Sequence, residues 1–178
     1  MPKARSLSKS EMNRALEACL LMSNPIQKRA ILSLSYSGLR VTELTLLTVE
    51  DVMTKSGKIK EEVYLRAIIT KGCRPRSVWF SHRTIEILSN YLEYRIEKRL
   101  GALTNSTQYR GLNPKSKLIL SSKGAAYCLK AKTKIMCDGS ERVYFNNDTL
   151  EALMRSVYAR TGLYGASYIQ AVEAWQQH

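Results

Sequence analysis

The chain has 178 residues, 44% of them apolar, and its 28 Lys plus Arg against 15 Asp plus Glu give a formal charge of +13. A chain of this length can bury roughly 70% of its unfolded surface, and so basic a balance points to a polyanionic partner, nucleic acid ahead of membrane. No apolar run approaches the roughly 20 residues that cross a bilayer, and Met1-Pro2-Lys3-Ala4-Arg5 lacks the apolar segment of a signal peptide. Cys19, Cys73, Cys128 and Cys137 are scattered, and the histidines are only His82 and His178. Neither residue type offers a zinc spacing. The expectation is reduced thiols in a cytoplasm, no metal and no cofactor.

In chain order, Ser8 to Met22 predicts a helix, capped by Ser8 or Ser10, with Met12, Leu16, Cys19 and Leu20 on one face. Asn24-Pro25 breaks it, and Pro25 suits the first turn of a second helix over Ile26 to Ser37, with Ile31, Leu32, Leu34 and Tyr36 apolar. Gly38 ends that helix as a left-handed cap. Val41 to Leu47 is a short third helix with Leu44, Leu46 and Leu47 inward.

The period then changes. Glu62 to Ile69 and Arg76 to Phe80 read as the strands of a hairpin, with Trp79 and Phe80 as core residues. Thr70-Lys71-Gly72-Cys73-Arg74-Pro75 is the turn between them. Ser81 caps a long helix from about Arg83 to Leu100, with Ile85, Leu88, Leu92 and Ile96 in one stripe. A polar loop follows to Lys117, Leu118-Ile119-Leu120 is a third strand, and Ser121-Ser122-Lys123-Gly124 is a turn. Ala125 to Val143 fits an inserted loop or hairpin in which Lys130, Lys132 and Lys134 form a solvated face. Asn146 or Asn147 caps a last helix, Asp148 to Arg160, with Leu150, Leu153, Met154 and Val157 on one side, and Tyr168 to His178 is weakly helical. The expected fold is α+β, mostly α: helices around a small three-stranded antiparallel sheet, as a single domain over 1–178.

Gly38-Leu39-Arg40-x-x-Glu43-Leu44, then Thr70-Lys71-Gly72 on a hairpin, a long helix and Ser-x-Lys-Gly, in that order, resembles the catalytic domain of the tyrosine recombinases, the phage integrase family. The resemblance runs from about Ser6 to Ser167. It implies double-stranded DNA as partner, and site-specific recombination and integration by transesterification. It makes Arg40 the first of two phosphate-holding arginines, Glu43 its support, and Lys71 the proton donor to the leaving 5′ oxygen. Arg74, Arg76 and Lys123 then contact neighbouring phosphates. Arginine suits this chemistry as a planar, permanently charged, bidentate donor, and an ammonium near the phosphate can supply a proton.

The family's His-x-x-Arg box and nucleophilic tyrosine do not follow Gly165-Ala166-Ser167, and no His-x-x-Arg occurs in the 178 residues. Tyr158, Tyr164 and Tyr168 precede the place of that box and read as packing residues. Read from the third base of the Tyr168 codon, with permitted wobble bases, the last residues encode His-Ser-Gly-Arg-Arg-Gly-Leu-Ala-Thr-Thr, which contains the box. The expectation is a frame shift near the Ser167 codon, a chain lacking both the family's N-terminal DNA-clamping domain and its second catalytic half, no strand cleavage, and self-association through uncovered core surface. The competing reading is a non-catalytic DNA-binding regulatory module that uses the same basic face.

Overall fold

The computed structural model describes residues 7–164. The expected helix over Tyr168 to His178 lies outside them. Helix α1 (Lys9–Ala18) starts at a reciprocal cap: the Ser8 amide donates to Glu11 Oε2 at 2.9 Å, and the Glu11 amide donates to Ser8 Oγ at 3.3 Å. It runs into a 3-10 turn, Cys19–Leu21, which leaves Leu20 half exposed rather than inward. Helix α2 (Pro25–Tyr36) is buried over almost its whole circumference from Gln27 to Tyr36. It is the central rod of the fold, with α1, α5 (His82–Glu97) and α6 (Asp148–Arg160) packed around it.

Between these helices lie α3 (Val41–Leu46), a one-turn α4 (Val49–Val52), β1 (Glu62–Leu65) and β2 (Arg76–Trp79). Asp51 starts α4, a turn not among the expected helices, by accepting the Thr48 amide at 2.9 Å. β1 and β2 pair antiparallel with Val63 opposite Val78 and Leu65 opposite Arg76. Strand parity therefore puts Val63, Leu65, Val78 and Arg76 on the inner face and Tyr64, Ser77 and Trp79 on the outer. Trp79 is accordingly 57% exposed, and Phe80 alone of the expected pair joins the core. The α5 stripe also turns by one position. Ile87, Leu88, Tyr91, Leu92 and Arg95 are buried, while Ile85 and Ile96 are half-buried.

The strand content departs from the single three-stranded sheet. Among the described residues there are two separate two-stranded sheets, β1–β2 and β3–β4, the latter being Lys130–Ile135 and Glu141–Asn146, which overlap the segment expected to be an insertion. Leu118-Ile119-Leu120 is fully in the core yet joins neither sheet. Its backbone groups are taken elsewhere. The Leu118 amide donates to the Leu47 carbonyl at 2.8 Å, the Leu120 amide to the Tyr91 hydroxyl at 2.9 Å, and Gln27 Nε2 donates to the Leu120 carbonyl. Buried peptide groups need partners, and here the Leu47 carbonyl and side chains of α2 and α5 supply them in place of a strand of either sheet.

Arg95 extends that arrangement. Its fully buried guanidinium donates to the carbonyls of Leu100 (3.1 Å), Lys117 (2.9 Å) and Leu118 (3.0 Å), and to Ser116 Oγ (3.0 Å). Burial lowers its pKa. Four acceptors around one cation fasten the irregular chain from Leu100 to Leu118 onto the end of α5.

Candidate phosphate-binding site

Helix α2 ends in a two-bond left-handed cap. The Gly38 amide donates to the Ser35 carbonyl at 3.0 Å and the Leu39 amide to the Leu34 carbonyl at 3.4 Å, with Gly38 at φ +93°. The chain reverses there, Leu39 drops into the core, and Arg40 takes an extended conformation as the residue before α3. Its side chain is thereby sent outward and is 45% exposed.

Glu43, one turn into α3, is fully buried. A buried carboxylate is costly unless paired and hydrogen-bonded. Its Oε2 accepts from the Arg40 amide at 2.8 Å and from Arg76 Nη2 at 2.7 Å. Its Oε1 accepts no hydrogen bond, and the cation beside it is Arg40 Nη1 at 3.5 Å. The Arg40 guanidinium is thus held loosely from behind and keeps open donors in front.

Arg76 connects the two pieces of the site. Besides Glu43, its Nη2 donates to the Gly38 carbonyl at 2.8 Å. One guanidinium from the inner face of β2 therefore ties the cap of α2 to the first turn of α3, on either side of Arg40. The family resemblance implies a DNA phosphate as the partner of Arg76. The structure directs it inward, and the signal was available: Arg76 lies two residues before buried Val78, hence on the same face.

The ten residues between β1 and β2 are two 3-10 turns, Ala67–Ile69 and Lys71–Cys73, rather than longer strands and a simple turn. Thr70 joins them, its hydroxyl bridging the Ala67 carbonyl at 3.0 Å and the Arg74 carbonyl at 2.7 Å. Ala67–Ile69 packs against α3, so the segment that carries Lys71 closes onto the helix that follows Arg40. Arg74 is exposed at the end of the same segment.

Among the described residues no hydrogen bond or ion pair joins Lys123 to Arg40, Glu43 or Arg76. The Lys123 turn begins with Ser121 and Ser122, which share a cavity of about 130 Å³ with Asn24, Pro25 and Gln27 at the start of α2. Arg40 follows the other end of that helix, whose twelve residues span about 18 Å at 1.5 Å per residue. Among the described tyrosines, burial pushes the Tyr91 and Tyr158 phenols up to about 12 and raises Tyr36 further. These are packing residues held neutral, while Tyr164 is exposed and Tyr168 lies outside the described residues.

The family model described as "Phage integrase family" matches residues 5–157. The chain belongs to the phage integrase family. It is 33% identical over 92 residues to tyrosine recombinase XerC of Vibrio cholerae, an alignment covering 51% of this chain and 27% of that protein. To XerC of Vibrio vulnificus it is 34% identical over 95 residues, covering 53% and 28%. The chain thus matches little more than a quarter of the length of these relatives. Its fold is similar to XerA recombinase, at TM-score 0.56 and 19% identity over 93% of this chain and 46% of that one. It is also similar to XerH site-specific recombinase bound to a palindromic difH substrate in a post-cleavage complex, at TM-score 0.58 and 18% identity over 96% and 41%. This family membership fits a mostly helical domain with small antiparallel sheets.

Proposed function

We propose that this chain binds duplex DNA through one half of a phosphodiester-transesterification site, with Arg40 as the donor to the phosphoryl oxygens. The observation that carries the reading is the Arg40–Glu43–Arg76 arrangement: a half-exposed guanidinium beside a fully buried carboxylate that a second guanidinium neutralises. Two guanidiniums face one carboxylate, so with Arg76 bonded to Glu43 the cluster keeps one net positive charge for an external anion. Attack on a phosphodiester builds negative charge on the non-bridging oxygens, which a planar bidentate donor stabilises. Lys71 is the candidate proton donor to the leaving 5′ oxygen. Arg74, exposed on the same segment, is the candidate contact to an adjacent phosphate, which positions DNA without reading sequence.

The XerC relatives are tyrosine recombinases by name, and XerH is a site-specific recombinase whose structure holds its palindromic difH substrate. For these 178 residues alone, without a His-x-x-Arg box, the reading is DNA binding without strand cleavage. Fluorescence anisotropy with a short labelled duplex tests it. Arg40→Gln should weaken binding about ten- to hundredfold, the value of losing hydrogen bonds to a charged group, and should reduce the salt slope by about 0.9. An unchanged affinity would remove Arg40 from the site. A nicked suicide duplex tests the second part, since a covalent protein–DNA adduct would show that the chain cleaves.

A further inference from the structure

The β3–β4 hairpin belongs neither to the core nor to the Arg40 cluster, and both its faces meet water. Its register is Lys130 opposite Asn146, Ala131 opposite Phe145, Lys132 opposite Tyr144, Thr133 opposite Val143, Lys134 opposite Arg142 and Ile135 opposite Glu141. Directly opposed residues share a face. One face therefore carries Lys130, Lys132, Lys134, Arg142 and Tyr144, and the other Ile135, Val143 and Phe145. Every residue of Glu141–Phe145 is exposed. Among the described residues the hairpin is anchored through its base: Lys132 pairs with Asp148 at the start of α6, Asn147 Nδ2 donates to the Cys128 carbonyl at 3.1 Å, and β4 touches α3.

The cationic face is poorly balanced from within. Lys132 has Asp148, but among the described residues Lys130, Lys134 and Arg142 make no ion pair, and Lys134 stands directly across from Arg142. Like charges in that position weaken a hairpin, and an isolated two-stranded ribbon is already marginal in water. An external polyanion on this face removes the repulsion and supplies the missing partner. The spacing suits a nucleic-acid backbone. Lys130 and Lys134 are separated by about 14 Å of strand at about 3.4 Å per residue, against one charge per about 3.4 Å along each DNA strand.

We propose that this face is a second phosphate-binding arm, lying along duplex DNA beyond the phosphate held at Arg40, with Lys130, Lys134 and Arg142 each neutralising a backbone phosphate. The proposal rests on the reading that the chain binds duplex DNA. Such contacts add affinity and register, not sequence readout. DNA also steadies the hairpin, because it cancels the Lys134–Arg142 repulsion.

The test is the salt dependence of duplex binding by the full 178-residue chain and by the triple variant Lys130→Gln, Lys134→Gln, Arg142→Gln. All three side chains are exposed, so the fold is retained, which circular dichroism verifies. The slope of log Kobs against log salt should become shallower by close to three units, at about 0.9 per phosphate. Ile135→Ser with Phe145→Ser, on the opposite face, should leave it unchanged. In the unmodified chain, acetylation of Lys130 and Lys134 should slow when the duplex is added. If the triple variant keeps the full slope while Arg40→Gln loses its share, the arm is refuted and the Arg40 reading stands. If the unmodified chain shows no salt-dependent binding, both fail. If the slope is kept and the Ile135/Phe145 variant instead abolishes a dimer seen by sedimentation, the hairpin serves a second copy of the chain and the proposal is overturned.

Discussion

At the scale of single residues, the site depends on how one buried carboxylate is satisfied. Glu43 serves a backbone amide, Arg76 and the back of Arg40 at once. Glu43→Gln keeps an acceptor for the amide but removes the charge that Arg76 answers. Breaking a buried pair costs 3–5 kcal/mol, less where a partner is solvated, and Arg76 is 35% exposed. A loss of about 2 kcal/mol in urea unfolding is expected. Arg76→Lys should fail to restore the site, because a single ammonium cannot hold the Glu43 carboxylate and the Gly38 carbonyl with the geometry of a guanidinium. Its signature is weaker duplex binding with Arg40 intact. Gly101 presents a different constraint. It sits at φ +70°, and a Cβ there would stand 2.5 Å from Arg95 Nη2. Gly101→Ala must strain the backbone and displace the clamp on Leu100, Lys117 and Leu118, for a loss of at least about 1 kcal/mol. A melting temperature equal to that of the unmodified chain would contradict this.

Among the secondary elements, those with strong local signals were readable. Ser8, Gly38, Ser81 and Asn147 mark helix ends, and all act as such. Asn147 does two things: its Oδ1 accepts the Leu150 amide at 3.0 Å to start α6, and its Nδ2 ties down the Cys128 carbonyl. Asn147→Ala should cost about 1–3 kcal/mol, more than a solvent-exposed cap, and Asn147→Asp should recover the cap alone. Elements without local signals were misjudged for a common reason. Leu118-Ile119-Leu120 has the composition of a strand, but composition does not say what will satisfy its peptide groups. Arg95, Tyr91 and Gln27, distant in sequence, meet them first. The reverse holds for residues 125–143, whose polarity left loop and hairpin open until pairing across Met136–Ser140 resolved them.

For the whole molecule, burial sets the response to pH. Cys19 is raised from 9.0 to about 11, and Tyr91 and Tyr158 from 10.0 to about 12. Desolvation of the charged form is the main cause in each. The folded chain keeps these protons at a pH where the unfolded chain releases them. Their contribution is therefore whole below about pH 9 and is lost as pH rises towards 12. Thermal melts through that range should show falling stability, and a constant melting temperature would refute the linkage.

The sequence by itself determined the polycationic character, the helix order and the Arg40–Glu43 pair, because charge, hydrophobic period and capping act within a few residues. Tertiary structure decided what Arg76 holds, where Lys123 lies and that Leu118–Leu120 is not a strand. Those outcomes depend on which distant groups reach a buried carboxylate or carbonyl, and only the packed chain brings such groups together.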